Sequence, residues 1–478
     1  MTLADDTRWL DATDQAQLVR SGEVHPTELV AAAIERIEAA NPVLNAVVTP
    51  LFETALAAAA SPDLPDGPFR GVPFTLKDLW AMSEGDRFTN GIRALAEADF
   101  RAPCDTTLVA RYRRAGLVFV GRTNTPELGL LPTTEPLAFG PTRNPWSLQH
   151  SPGGSSGGAA ASVASGMVPA AHASDGGGSI RIPASACGLV GLKVSQGRIS
   201  LGPFRQETGL GVEHVVARSV RDSAALLDAT HGPGVGDLVV APAPARPYIQ
   251  EVGADPGRLR IGIMSASARV EVAPACRAAV ERLGALLETL GHHVETTHPP
   301  ALEDPELPAQ FGALWAINTR SGVKAAEQWL GRPVVPGDIE PLTWTLFERA
   351  AAVTADEYVA AVAATAAYRR RVHQWWADGW DVLVTPTMAA TPALLGEMAQ
   401  NPQRPLAPFA VSAKYAAFTS PWNVTGQPAI SLPIAHDDAG LPVGVQLVAA
   451  YGGEDVLIRI AAQIEAALPW HDRHPTLP

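Results

Sequence analysis

Residues 26 to 40, PTELVAAAIERIEAA, put Val30, Ile34 and Ile37 on one stripe at helical spacing, with Pro26 suited to the first turn and Asn41-Pro42 as a stop. The pattern predicts an amphipathic helix. Apolar runs at Val72–Leu76, ending in Lys77 and Asp78, and at Leu117–Val120, leading into GRTNTPELG, read as strands. Farther on, RLRIGIMSA (258–266) predicts a strand, and a helix follows with Val280, Leu283, Leu287 and Leu290 as its stripe and Gly291 as its stop. HVETTH returns as a strand, the Ala-rich segment 355–378 is helical, and DVLVTP (381–386) has the pattern of a buried strand. PAISLPI and PVGVQLVAA flank a turn at 437–440, and a last helix runs from about Glu454 to Leu468. Alternating strands and helices with an antiparallel pair at the end predict an α/β fold. With no Pro/Gly-rich boundary separating two cores, the expectation is one large domain over 1–478.

One stretch breaks the alternation. Residues 151 to 191, SPGGSSGGAAASVASGMVPAAHASDGGGSIRIPASACGLVG, are dense in Gly, Ser and Ala. A flexible linker of that composition would lack the interleaved Val163, Met167, Val168, Ile180, Ile182, Leu189 and Val190, which need a core to cover them. The stretch therefore reads as close-packed backbone.

The 478 residues are 46% hydrophobic and 18% charged, enough to bury a large core, and the formal charge of -13 is spread along the chain. That charge gives no electrostatic footprint for nucleic acid. MTLADDTRWL has neither a basic nor an apolar leader region, and no apolar run is long enough to span a bilayer, so the expectation is a cytoplasmic protein without a membrane partner. Cys104, Cys187 and Cys276 are far apart and read as buried free thiols. The twelve histidines form no ligand spacing, and the adjacent His292 and His293 lie at the end of the helix predicted after residue 266. Neither a metal nor an organic cofactor is expected.

For a serine hydrolase the first expectation is a Ser-His-Asp triad, but no GxSxG elbow is present. What the chain offers instead is Lys77 after a strand and two glycine-embedded serines, Ser155 in GGSSGG and Ser179 in DGGGSIR. Glycines let successive backbone N–H groups face one cavity, which is what a tetrahedral oxyanion requires. Taken singly, each feature has a plainer reading: a phosphate loop or tight turn for GGSSGG, a solvated strand-end charge for Lys77. The phosphate loop lacks its GK[ST], and the three features occur together.

That conjunction resembles the amidase signature family of serine hydrolases. GVPFTLKD around Lys77, GGSSGG at 153–158 and GGSIRIPA at 177–184 match its landmarks in order, the two serines standing 24 residues apart, and GRTNTPELG, TRNPW, DVLVTPT, WNVTGQPAISLP and GLPVGVQLV extend the likeness over nearly the whole chain. The resemblance implies one domain with a mixed, twisted central sheet covered by helices. It implies Ser179 as nucleophile, Ser155 as bridging serine after a cis peptide bond, and Lys77 as base. Burial away from carboxylates would bring Lys77 into the range where a neutral amine is populated at pH 7.

The same resemblance makes Gly176, Gly177 and Gly178, with Ser179, the expected oxyanion donors. Gly176 stands where the family commonly has a side chain, which implies an emptier pocket wall. Asp175 and Arg181 are read as braces of this loop. Asn124 and Gly154 are candidate substrate contacts, with a turn-forming asparagine as the plain alternative at 124. The catalytic core is expected over about 65–200 and specificity loops over about 300–425, where Phe311, Trp315, Trp344 and Trp422 are either pocket or core residues. The run HASDGGGSIRIPASACGLVGLK resembles the branch that includes 6-aminohexanoate cyclic dimer hydrolases. The implied substrate is a small, neutral, fairly apolar linear, aryl or cyclic amide, and a homodimer is the candidate assembly. The alternative is the glutamine-hydrolysing subunit of a tRNA-dependent amidotransferase, which resembles GGSIRQPA where this chain has Ile182.

Overall fold

The computed structural model describes residues 2–205, 209–304 and 307–476, with side chains of the last stretch described from 311 onward. Eleven strands join in one sheet: β1 (Val47–Pro50), β2 (Pro73–Lys77), β3 (Val118–Thr123), β4 (Ala170–Asp175), β5 (Val190–Lys193), β6 (Val212–Ala217), β7 (Arg260–Ile263), β8 (His293–Glu295), β9 (Val382–Pro386), β10 (Ala429–His436) and β11 (Pro442–Ala449). Their order is β1-β3-β2-β4-β6-β5-β10-β11-β9-β7-β8. The sheet is mixed: β3, β2 and β4 run parallel, β7 is parallel to β8 and β9, and β10 and β11 form the antiparallel pair expected around the turn at 437–440. In β2, β3 and β4 every residue is buried, as strands covered on both faces must be, and their apolar side chains feed two apolar clusters, Phe74, Leu76, Phe119 and Ala170 one and Val118, Val120, Ala171 and Ala173 the other.

Three parallel strands that end together determine where chemistry can sit. Lys77 at the end of β2 is level with Thr123 at the end of β3, and β4 ends beside them in Ser174 and Asp175. The loops after these carboxyl ends form the crevice that open α/β sheets use for ligands. The Gly/Ser-rich stretch supplies it: 151–175 are all buried, and the helix Gly157–Ala164 inserts its small residues beneath the crevice, where Ala159, Ala160, Ala161 and Val163 join a second apolar cluster.

Some expectations are corrected. The first long helix runs Pro26–Leu44, past Asn41-Pro42. Pro42 removes one helical bond in the final turn, and the Asn41 amide takes over the chain beyond it, accepting from the N–H of Ala46 and Val47 and donating to the Val47 carbonyl, each at 2.8 Å. The region expected as specificity loops is largely helical (Leu307–Leu330, Pro341–Ala351, Ala355–Ala377, Ala407–Ala416 and Ser420–Thr425). The helix at 274 ends at Thr289, so His292 lies beyond it and His293 opens β8. Cys187 and Cys276 are buried but Cys104 is only half-buried, and all three thiols are free. Among the described residues no helix is long and apolar enough to cross a membrane, and no group of three His, Cys, Asp or Glu could hold a metal ion.

Candidate active site

Lys77 is fully buried, and its Nζ lies 2.7 Å from Ser155 Oγ and 2.9 Å from Ser174 Oγ. It has no ion-pair partner among the described residues. Burial lowers its pKa from the ordinary 10.5 to about 7, against the opposing pull of Glu213 and Asp175. A neutral amine can accept from one hydroxyl while donating to the other. Behind it, His172 Nδ1 accepts the Lys77 N–H at 3.3 Å, and His172 Nε2 meets Glu213 Oε2 at 2.7 Å. Burial lowers the His172 pKa. For Glu213 burial is outweighed by Arg205, with which it is ion-paired, and by His172 and Lys77, so its pKa falls and it stays a carboxylate. The peptide bond between Gly154 and Ser155 is cis.

The loop after β4 is held from below. Asp175 Oδ1 accepts the Gly178 N–H at 2.8 Å and Oδ2 accepts the Ile180 N–H at 3.1 Å, while Arg181 grips both oxygens at 2.9 Å and Asn423 donates to Oδ1 and to the Asp175 carbonyl. Burial alone would raise the Asp175 pKa, but Arg181, Lys193 and Asn423 hold it well below the usual carboxylate range. Asp175 and Arg181 thus brace the loop. Thr419 Oγ1 donates to the Gly177 carbonyl at 2.7 Å, which fixes the peptide that carries the Gly178 N–H. Gly178 has φ +138°, and a Cβ there would lie 2.3 Å from Thr419 Oγ1.

This arrangement divides the expected oxyanion donors. The Gly178 N–H is already taken by Asp175, which corrects its assignment to an oxyanion hole. The N–H groups of Gly176, Gly177 and Ser179 have no acceptor among the described residues. Ser179 is 8% exposed, and its hydroxyl makes no hydrogen bond to a described residue, that of Ser155 included. It lines an open cavity of about 220 Å³ together with Gly177, Ile182, Phe311, Trp315 and Phe409. Nor is the wall beside Gly176 empty. Phe311 and Trp315 stack at 5.1 Å, and their rings approach within 3.2 and 3.3 Å of where a Cβ at Gly177 and Gly176 would stand.

The sequence model of the amidase family matches residues 28–458. The chain belongs to the amidase signature family. The amidase is 45% identical over 480 residues to a 6-aminohexanoate-cyclic-dimer hydrolase of Paenarthrobacter ureafaciens, covering 98% of this chain and 97% of the relative. Its fold matches the structure of a 6-aminohexanoate cyclic dimer hydrolase complexed with substrate at a TM-score of 0.95 and 44% identity, over 98% of this chain and 99% of the other. A bacterial aryl acylamidase matches at a TM-score of 0.85 and 29% identity, over 97% of each chain.

Other expected contacts fall elsewhere in the amidase. Asn124 is fully buried, and its amide is consumed within the protein, donating to the Gly140 carbonyl and Thr142 Oγ1 at 3.0 Å and accepting from Thr125 N–H. It shapes a turn and does not face the cavity. Gly154 is not on the cavity wall either. It is glycine because the Thr133 backbone packs against it, within 2.5 Å of where a Cβ would be. Trp422 is core, with its indole N–H on the Phe418 carbonyl, and Trp344 packs in a peripheral apolar cluster; of the four aromatics only Phe311 and Trp315 line the cavity. Ser174, His172, Glu213, Thr419 and Asn423 were missed. Ser174 and His172 lie in HASD, and Thr419 and Asn423 in TSPWN, so these segments carried them without a signal of which side chain turns inward. Arg269, also unforeseen, lines the cavity.

Proposed function

We propose that this amidase hydrolyses the carbon–nitrogen bond of a small, uncharged, largely apolar amide, cyclic diamides included, through an acyl ester on Ser179. The observation that carries the reading is a fully buried lysine, 2.7 Å from Ser155 Oγ, at the carboxyl ends of the strands whose loops form an apolar cavity lined by Ser179. In this scheme neutral Lys77 accepts the proton of Ser155 as Ser155 takes that of Ser179, whose oxygen attacks the amide carbonyl. The N–H groups of Gly176, Gly177 and Ser179 receive the oxyanion. As the C–N bond breaks, Ser155 returns a proton to the departing nitrogen. Water then attacks the ester, its proton passing by the same hydroxyls, and releases a carboxylic acid and an amine.

The relatives' names, a cyclic dimer hydrolase and an aryl acylamidase, support the substrate class, as does the wall of Ile182, Phe311, Trp315 and Phe409. Glutamine hydrolysis is less well supported, because Ile182 adds hydrocarbon to the cavity wall and the charged α-ammonium of free glutamine would meet no carboxylate on that wall among the described residues. The test is kcat/KM for a cyclic amide dimer, an anilide, hexanamide and free glutamine, with and without EDTA. The apolar amides should exceed glutamine by at least about tenfold, a gap of ~1.4 kcal/mol in transition-state binding, with EDTA without effect. A preference for glutamine would refute the reading.

A further inference from the structure

Arg269 is the one charged side chain on the cavity wall among the described residues. It follows β7, tenth in the sheet order, whereas Ser179 follows β4, fourth, so the two reach the cavity from different flanks. Its loop is pinned: Ser267 Oγ accepts the Arg269 N–H at 3.1 Å, and Glu303 accepts from Ser267 Oγ and the Ala268 N–H. The guanidinium is left underused. It donates only a long 3.5 Å bond to the Ala417 carbonyl, its Nε is buried with no acceptor, and no carboxylate pairs with it among the described residues. Of the buried arginines, Arg122, Arg181 and Arg198 each have a carboxylate partner at about 3 Å, and Arg36 donates to the Met167 and Ala4 carbonyls and to Thr7 Oγ1. A planar donor fork with one long bond and no carboxylate partner, on the wall of a cavity whose other side chains are all uncharged, is a preorganised site for an oxygen acceptor.

We propose that Arg269 is a specificity-determining residue that binds an acceptor oxygen on the substrate remote from the scissile amide, either a carboxylate or the carbonyl of a second amide. The proposal rests on the amide-hydrolase reading for the identity of the substrate but not for the contact. A monoamide with a purely hydrocarbon tail leaves the fork unfilled. An amide with a second acceptor several methylenes away fills it.

The test measures kcat/KM of wild type, Arg269→Met and Arg269→Lys for hexanamide, a cyclic amide dimer and the monoamide of adipic acid. The quantity read is each substrate's ratio to hexanamide, which does not depend on the fraction of folded enzyme. In Arg269→Met at least one ratio should fall tenfold or more, chiefly through KM, and Arg269→Lys should fall less. A fall confined to the adipic monoamide identifies a carboxylate and replaces the uncharged substrate class by an anionic one, and a fall confined to the cyclic dimer identifies the second carbonyl. Calorimetric binding of the same three compounds to Ser179→Ala, with and without Arg269→Met, reads the contact without turnover. If wild type turns over none of the amides, the hydrolase reading fails while the binding comparison still decides Arg269. Ratios and binding preferences that all stay within twofold of the parent would overturn the proposal.

Discussion

Proton transfer in the proposed scheme depends on how much Lys77 is neutral, and its burial sets a definite pH profile. With a pKa of about 7, the neutral fraction is roughly 0.1 at pH 6, 0.5 at pH 7 and 0.9 at pH 8. The value of kcat/KM should therefore rise about eight- to tenfold from pH 6 to 8 and then level off. A solvated lysine with the ordinary value of 10.5 would instead gain about tenfold more between pH 8 and 9. Burial is the main cause of the lowering, and the Glu213 carboxylate opposes it by favouring the ammonium form. Removing that charge in Glu213→Gln lowers the Lys77 pKa further, so the midpoint should move toward acid. Lys77→Ala should lose several orders of magnitude in turnover. The assay is hydrolysis of an anilide at subsaturating concentration over pH 5.5–9.5 at fixed ionic strength. A wild-type rate still climbing tenfold per unit at pH 9, or a Glu213→Gln midpoint shifted to higher pH, would refute the reasoning.

Two further outcomes follow from the loop and from a buried acid pair. Gly178→Ala places a Cβ against Thr419 at φ +138°, a strain of roughly 1–3 kcal/mol. Its midpoint of thermal unfolding and its kcat should both fall, and an unchanged kcat would mean that the loop is not set by Thr419. The carboxyls of Glu127 and Glu340 are buried together, with the Glu340 N–H on Glu127 Oε1 at 2.7 Å. Burial raises both pKa values, that of Glu340 to about 7. A folded-state pKa above the unfolded one favours folding at low pH, and the benefit is lost as pH rises through about 7. Glu127→Gln should therefore raise Tm more at pH 8.5 than at pH 5; equal shifts would contradict the coupling.

Much of the fold was legible because hydrophobic period and helix punctuation are local. The apolar residues threaded through 151–191 implied a packed core, and that stretch is almost wholly buried. The order of the strands was not legible, since nothing in β4 says that it lies between β2 and β6; long-range packing decides that. In the site, the chain motifs picked out Lys77, Ser155 and the glycine loop, which the fold brings to one crevice. Side-chain direction was the limit. Asn124 and Gly178 have the right chemistry, but their polar groups are used by the protein itself. Arg269 sits in SASARV, a segment with no pattern, and becomes a cavity residue because the loop after β7 and the helix Ala407–Ala416 line the same cavity.

Mass mapping of the chain after reaction with a fluorophosphonate tests the central claim most directly, because the probe reports which hydroxyl attacks. The account predicts one adduct, located by fragmentation on Ser179 itself and not on Ser155, with labelling slowed in Lys77→Ala and abolished in Ser179→Ala. An adduct on Ser155 alone, or full labelling of Ser179→Ala, would contradict it.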